Sequence, residues 1–448
     1  MSIPYVVNGF PFPISEVMHY GEILSKFGIT YCNDDPWLEV GNCKQAHGWI
    51  LYLSVLSQDA GKVIHEVAPL LQAYHVPFKL LQNSKLVDAS NGQGLGVKDA
   101  GKIFMIYPSS VKQALLLAEE LELVTKNYEG ILIDSCLRIG RILYASPPQG
   151  PETKMPFKIP KAYRIRKRKG IIGRYYVPIR LLKFSPKGDI NLGVNLKGFS
   201  FTPCIIKQAR AGSFVDKSER RSFHKLQWQK TVLEDLQDKI PVPRVIDFCR
   251  KGNDYYLITE YIEGESLLQK TSLLHGNLTW KDLPAHTRNE LLDYFLQIIT
   301  IISNLHKAGY LHRDIQINNF IIRNKIVHII DFELAYYMPA GIPHPAFGFG
   351  TAGFMSPQQR MSLTPTTAED IFSLGAVLAY IVINPKSGQE FSGNIYDTLL
   401  SAGIENHLLD IIIGCMDPEA EKRPSLPAII NLLGADTLPT NTDNLVKI

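Results

Sequence analysis

Cysteine is scarce and scattered. Six residues (Cys32, Cys43, Cys136, Cys204, Cys249 and Cys415) are spread over 448 positions with no paired spacing. That pattern indicates neither a zinc site nor a disulfide framework, and it fits a reducing cytoplasm. Charge of one sign is also lacking. Lys and Arg number 47 against 43 Asp and Glu, a formal net charge of +4, too small for a nucleic-acid-binding protein. No basic segment followed by an apolar core opens the chain, so no secretory signal is expected. The longest apolar run, Ile371 to Ile383, is too short to span a bilayer, and no internal repeat is visible. What is present is bulk: with 45% hydrophobic residues, a chain of this length can bury two or three cores. One basic run, Lys161 to Lys169, follows the Pro-rich stretch Ser146 to Pro151. Such runs are mostly solvated linkers. An anionic-partner or membrane-surface patch is the sharper alternative, and Tyr163 and Ile165 alternate with the charges as an edge strand would.

The chemistry concentrates in Tyr310-Leu-His-Arg-Asp-Ile-Gln-Ile-Asn-Asn-Phe-Ile-Ile322 and Ile329-Ile-Asp-Phe-Glu333. An Asp five residues before an Asn, then a second Asp after a short apolar strand, is the layout that phosphoryl transfer needs. Asp314 can orient and deprotonate a hydroxyl, while Asn319 and Asp331 can hold magnesium against nucleotide phosphates. His312-Arg313-Asp314 with Asn319 at this offset resembles the protein-kinase catalytic loop. Gly350-Thr-Ala-Gly-Phe-Met-Ser-Pro-Gln358 is similar to the end of a kinase activation segment. Glu369-Asp-Ile-Phe-Ser-Leu-Gly375 resembles the buried helix that anchors the loop through Asp370. Arg423 matches a late arginine of the same lobe. In the family that arginine pairs with a Glu where this chain has Gln358, which implies a looser substrate platform.

Upstream, Pro203 to Ala209 reads as a strand with one inward lysine. A lone Lys on a strand is usually a solvated edge charge, but Lys207 precedes a helical segment and lies ahead of the catalytic loop. The resemblance makes it the phosphate clamp. Tyr255 to Ile262 reads as a strand running into a hinge. Glu260 and Ile262 would offer backbone groups to an adenine, and Thr259 would sit behind it. Several positions depart from the family. The glycine loop, Lys187 to Gly193, has only Gly188 and Gly193, a weak signal common to hairpins. The helix expected over Arg220 to Gln237 places Gln229 where the family has a Glu, so the clamp on Lys207 is expected to be weak. Gln316 replaces a Lys. Glu333 replaces a Gly, which restricts the backbone.

The first 160 residues alternate strand and helix patterns: a strand over 47–54, a helix over 61–74, strands over 76–81 and 102–107, and a helix over 110–124. This argues for an α+β or α/β module. Gly48-Trp49, Val76-Pro-Phe-Lys79, Gly101-Lys102, Tyr107-Pro108, Asp134, Arg138 and Tyr144 resemble the N-terminal lyase domain of class III and class IV lanthipeptide synthetases. The kinase part, with its Ile-Ile-Asp-Phe-Glu333 and Glu263-Gly-Glu265, resembles their central domain. The lyases use a Lys and a His two residues apart. This chain has Ile50 and Tyr52 there, and a hydroxyl of pKa near ten is a poor replacement. The first domain therefore reads as a lyase relic or a peptide-binding module. Lys79, Lys102 and Arg138 are candidates for contacts to phosphate or an acidic peptide, against the plainer reading of ordinary surface cations. The synthetases end in a zinc-dependent cyclase. Only a helix (426–433) and a polar tail follow Arg423, so no cyclase is expected within this sequence, and a separate cyclase or lyase would be its partner.

The resulting expectation is an α+β protein with a bilobal kinase-like fold. A smaller lyase-like α/β domain (1–160) precedes a kinase-like domain (172–436, lobes meeting near 262) and a tail (437–448). The expected activity is ATP- or GTP-dependent phosphorylation of Ser or Thr with magnesium, on a protein or a ribosomal precursor peptide. The competing readings are a pseudokinase scaffold and a small-molecule kinase of the aminoglycoside type. The segment Gly350 to Gln358 argues against the last.

Overall fold

Apolar side chains at Ala60, Val63, Ile64, Val67, Ala68 and Leu71 recur at helical spacing and are all buried on one face of a 17-residue helix. They cover a sheet whose strands alternate in the same sense. Leu51, Leu53, Phe78, Leu80, Phe104 and Ile106 enter this core, while Tyr52 points to the other face and packs with Ile133 and Tyr144. The computed structural model describes residues 19–43, 48–91, 95, 99–133, 135–148, 155–161, 170–185, 187–199, 201–211, 216, 218, 220–348, 350–385 and 395–434. Asp134, most of the basic run and much of the Pro-rich stretch lie outside them. The chain falls into two units: residues 1–169 with 184–188 and 210–222, and residues 170–183 with 189–209 and 223–448.

The first unit contains α1 (Gly21–Lys26), β1 (Cys32–Asp34), β2 (Trp37–Val40), β3 (Ile50–Leu53), α2 (Ser57–Ala73), β4 (Phe78–Leu81), α3 (Ser84–Asn91), β5 (Phe104–Ile106), α4 (Val111–Thr125), β6 (Leu137–Arg138) and β7 (Leu143–Ser146). The sheet order is β1-β2-β4-β5-β3-β7-β6. Every pairing is antiparallel, so the alternation that leaves α/β open in the sequence resolves as α+β. Ser110 caps α4 by accepting from the Gln113 amide, satisfying one of the donors a helix start leaves unpaired.

The second unit opens with β8 (Tyr176–Lys183), β9 (Ile190–Asn195), β10 (Thr202–Ala209), the helix α5 (Ser222–Leu236), β11 (Val245–Lys251) and β12 (Asp254–Glu260). The strands form an antiparallel sheet in the order β11-β12-β10-β9-β8. A largely helical lobe follows: β13 (Glu265–Ser266), α6 (Leu267–His275), α7 (Ala285–Lys307), β14 (Tyr310–Leu311), β15 (Phe320–Arg323), β16 (Ile326–Ile329), β17 (Tyr336–Tyr337), α8 (Pro357–Arg360), α9 (Thr367–Ile383), α10 (Ile395–Ser401), α11 (Asn406–Cys415) and α12 (Leu426–Gly434). This is the bilobal α+β arrangement expected. The small three-stranded sheet β13-β15-β16 and the pair β14-β17 flank the loops that run from His312 to Asn319 and from Ile330 to Ala335. The core of the lobe is built from α7 (Phe295, Ile298, Ile299, Ile302), α9 (Leu374, Val377, Leu378, Ile381) and α11 (Leu408, Ile411, Ile412). Each such side chain contributes about 1.5–3 kcal/mol on burial. Helix α9 is buried nearly all round, so it is a rigid post rather than a surface helix. Among the described residues no helix is long and apolar enough to cross a membrane.

Candidate functional site

Alternation along β10 puts Cys204 and Ile206 in a small core of their own and Lys207 on the opposite face. Leu257 of β12 and Ile190 of β9 lie beside it in register. The Lys207 ammonium is held by three acceptors: Gln229 Oε1 at 2.9 Å, Asp331 Oδ1 at 2.6 Å and Glu333 Oε2 at 2.9 Å. Burial alone would depress its pKa, but the carboxylates of Asp331 and Glu333 outweigh that and hold it above the ordinary lysine value. The register of α5 is fixed by the same contact. Gln229, 5% exposed, is the helix residue at the lysine, whereas Glu234 pairs with Lys230 on the outer face. The preceding residue, Trp228, donates its Nε1–H to the Ala335 carbonyl at 2.7 Å, fastening α5 to the chain beyond Asp331.

The loop that carries His312, Arg313 and Asp314 hangs from α9. The buried carboxylate of Asp370 accepts the backbone N–H groups of His312 and Arg313, both at 2.9 Å. It also accepts the His306 ring N–H at 2.9 Å. Burial would raise the Asp370 carboxyl, but these donors more than offset that and hold it below its ordinary value. His312 is fully buried. Its Nδ1 accepts the Asp314 N–H at 3.2 Å, which leaves the proton on Nε2 to donate to the Ile330 carbonyl at 3.3 Å. The Phe332 ring lies 4.7 Å from the His312 ring. Arg313 takes a left-handed backbone (φ +64°), and its guanidinium donates to Glu369 at 2.9 Å and to the Phe347 carbonyl at 2.7 Å.

Asp314 thus sits at the end of a braced loop. Thr351 donates to it twice, from its hydroxyl at 2.8 Å and its backbone amide at 3.0 Å. The Asn319 side-chain amide donates to the Asp314 backbone carbonyl at 2.8 Å, and the Asn319 backbone carbonyl accepts from the Ile330 N–H at 2.9 Å. Burial and the nearby charge of Asp331 raise the Asp314 pKa, while the Thr351 bond opposes the rise. Asp331 also adopts a left-handed backbone (φ +67°), which turns its carboxylate toward Lys207.

Lys207, Gln229 and Asp331 are therefore joined directly, and Asp314 and Asn319 are joined to them through Ile330, the chain neighbour of Asp331. His312, Arg313 and Asp370 brace the set. Thr259 and Ile262 are buried at the end of β12 and just past it. The Glu260 carboxylate lies 3.4 Å from both Arg244 and Arg323. Gly188 (φ +151°) lies in the 184–188 segment of the first unit. Gly193 is needed for space: a Cβ there would meet the Val177 backbone carbonyl oxygen at 2.9 Å as well as Ile206 Cδ1 at 2.4 Å. Arg423 donates to Gln358 Oε1 at 2.6 Å and to the Ala368 carbonyl at 2.7 Å, so a hydrogen bond to a neutral amide stands where the family has an ion pair. Sequence reasoning misses Thr351, Trp228 and the ionic role of Glu333. For Glu333 the signal is a carboxylate two residues after Asp331. For Thr351 it is the Gly-Thr turn.

The donor set suits a metal that arrives with phosphate. Among the described residues no cluster of three or more His, Cys, Asp or Glu could hold a metal ion. Magnesium in nucleotide sites usually takes one or two carboxylates plus phosphate oxygens. Asp331 and Asn319, with like charge already raising Asp314, fit that demand.

In the first unit, Lys79 is committed to Asp34 at 2.6 Å and Glu39 at 3.1 Å, so it is not the available cation the sequence suggests. Lys102 lies 4.8 Å from the Tyr52 ring and Arg138 lies 5.8 Å from the Tyr144 ring. These two cations share the face whose buried cluster contains both tyrosines. The Tyr52 hydroxyl bonds Ser146 Oγ at 3.0 Å, and burial pushes its pKa up.

A two-lobed unit with a clamped lysine, a braced Asp and an Asn-Asp pair defines a kinase-type fold. The protein kinase domain family matches residues 206–432, half of the chain, and the chain belongs to the protein kinase family. A second family, described as RamC, N-terminal domain, matches residues 28–144. Serine/threonine-protein kinase B of Synechocystis sp. is 27% identical over 190 residues, covering 40% of this chain and 31% of that protein. Serine/threonine-protein kinase Nek9 of Xenopus laevis is 23% identical over 267 residues, 57% of this chain and 27% of that protein. For Nek11 of Homo sapiens the figures are 23% over 255 residues, 54% and 38%. The chain spans less than half the length of these relatives.

Proposed function

We propose that the chain transfers the terminal phosphoryl group of ATP or GTP to a Ser or Thr hydroxyl of a peptide or protein. The observation that carries this reading is the convergence of Lys207, Asp331, Asn319 and Asp314, held by bonds of 2.6–3.4 Å. Asp314 would take the hydroxyl proton as the oxygen bonds to phosphorus and the bond to the leaving diphosphate breaks. Lys207 would orient the phosphates, and Asn319 and Asp331 would hold magnesium, which neutralises the charge that builds on the leaving oxygens. Thr259, Glu260 and Ile262 would line the base. The match to RamC, N-terminal domain supports a finer reading, a ribosomally made precursor peptide as substrate in lanthipeptide-type biosynthesis, with a separate cyclase or lyase completing the chemistry. The competing reading, a scaffold that binds without catalysis, draws on Gln229 and Gln316, which replace charged groups.

One experiment separates them. A ligand at 100 times its Kd stabilises a fold by about 2.7 kcal/mol, so ATP or GTP with magnesium should raise the thermal midpoint, and Asp331→Asn should remove the shift. Mass spectrometry of a Ser/Thr-containing peptide should show the gain of one phosphoryl group, and with Asp314→Ala it should not. A thermal shift without transfer favours the scaffold. No shift with either nucleotide sinks the enzyme reading.

A further inference from the structure

Lys207 is the cation that Gln229, Asp331 and Glu333 hold together, and these partners reveal a rearrangement. The helix residue beside it, Gln229, is neutral. Two carboxylates supply the countercharge, and one of them, Asp331, is the residue proposed to turn toward metal and phosphate. With Asp331 so engaged, Lys207, whose side chain is only 16% exposed, would keep a single neutral amide unless another anion stayed with it. Glu333 is that anion, at 2.9 Å. It is also held in place. Ala335, two residues further on, accepts the Trp228 indole N–H at 2.7 Å, and Trp228 is the neighbour of Gln229 on α5. The helix and the segment bearing Glu333 are thereby fastened together at the lysine.

We infer that Glu333 is the positioning residue that anchors Lys207, the negative charge having moved from α5 to the segment after Asp331. The inference deepens the phosphotransfer reading and rests on it. The anchor no longer depends on an inward swing of α5, because the charge travels with the strand-to-loop segment that also carries Asp331. The same geometry explains why Gly is dispensable at position 333: an L side chain there is used.

The test needs a readout that does not depend on catalysis, and one that does. In the unliganded full chain, thermal midpoints are measured for the unaltered protein, Glu333→Gln, Lys207→Met and the double variant. Glu333→Gln should lower the midpoint by several degrees when Lys207 is present. It should have a clearly smaller effect when Lys207 is replaced by Met, because the ion pair is then already lost. Equal effects in the two backgrounds overturn the inference. In phosphoryl transfer from ATP to dephosphorylated casein, Glu333→Gln should lower kcat/KM about tenfold, the gap between a charge-assisted and a neutral bond. Gln229→Glu added to Glu333→Gln should recover most of it by returning the charge to α5. No recovery, together with a higher magnesium requirement, makes Glu333 a metal ligand and overturns the positioning role. A coupled midpoint with no transfer and no nucleotide binding by the unaltered chain sinks the phosphotransfer reading and the positioning role with it, and leaves only the ion pair.

Discussion

Asp370→Asn is the perturbation with the most calculable outcome. The Asp370 carboxylate is fully buried and accepts three hydrogen bonds, one on Oδ1 from Arg313 and two on Oδ2 from His312 and His306. An Asn offers one acceptor oxygen and one NH2. Whichever way the amide is turned, an N–H group faces at least one backbone N–H. The least costly orientation keeps two bonds and loses the one to Arg313. Losing a bond to a charged acceptor costs about 1.5–3 kcal/mol, and stranding its buried donor adds about 1–3 kcal/mol. The sum is about 2.5–6 kcal/mol, on the order of 10 °C for a unit of this size. The penalty has a pH signature. The carboxyl is depressed in the fold, so its contribution is full above the unfolded value of 3.8 and is lost as pH falls through the folded value. The difference in midpoint between the unaltered protein and the Asp370→Asn variant should therefore hold steady near neutrality and narrow in strong acid. Differential scanning calorimetry of the full chain from about pH 2 to about pH 7 is the assay, with Asp410→Asn, on the outer face of α11, as a control expected to stay within about 0.5 kcal/mol. An unchanged midpoint for Asp370→Asn at neutral pH would show that α9 does not suspend the catalytic loop.

Thr351→Val should move the acid limb of kcat/KM to higher pH, because the hydroxyl bond lowers the Asp314 pKa against burial and Asp331; a limb that stays put or moves down refutes Asp314 as the titrating base. Lys79→Met should destabilise the first unit by about 1–3 kcal/mol by leaving the partly buried Glu39 without its cation, and a neutral result in urea unfolding would place the pair among ornamental surface contacts. Phosphoserine or phosphothreonine peptides incubated with the full chain should show no loss of phosphoric acid by mass, since Ile50 carries no proton and the Tyr52 hydroxyl is raised by burial; a dehydrated product would point to Lys102, 4.8 Å from the Tyr52 ring, as a base.

Legibility follows chain locality. His312, Arg313, Asp314 and Asn319 lie within one loop, so their spacing announces them. The helical face of α2 is plain because Val63, Ile64, Val67 and Leu71 repeat at a fixed period, although the helix starts at Ser57, four residues before the pattern suggests. Gln229 can be assigned to the lysine because α5 is a regular helix, and the 2.9 Å bond agrees. Hidden features are those that join distant segments through side chains. Glu333 looks like a loss of glycine freedom because its value depends on Lys207, 126 positions earlier. Lys79 looks like an available cation because Asp34 and Glu39 reach it only through the pairing of β1, β2 and β4. The strand alternation of the first unit cannot distinguish parallel from antiparallel pairing, since that choice is made by the connections and not by the period of any one strand.

Arg313 is occupied before any regulator arrives. Kinase activation loops are commonly ordered when a new phosphate meets an arginine. Here the guanidinium already grips the Glu369 carboxylate and the Phe347 carbonyl, and the sequence between Asp331 and Thr351 contains no Ser or Thr to modify. The anion that would elsewhere be added after synthesis is written into the chain as a buried Glu on α9. The Arg313 guanidinium is thus held by groups built into the fold, a Glu of α9 and a backbone carbonyl, rather than left open for an added phosphate.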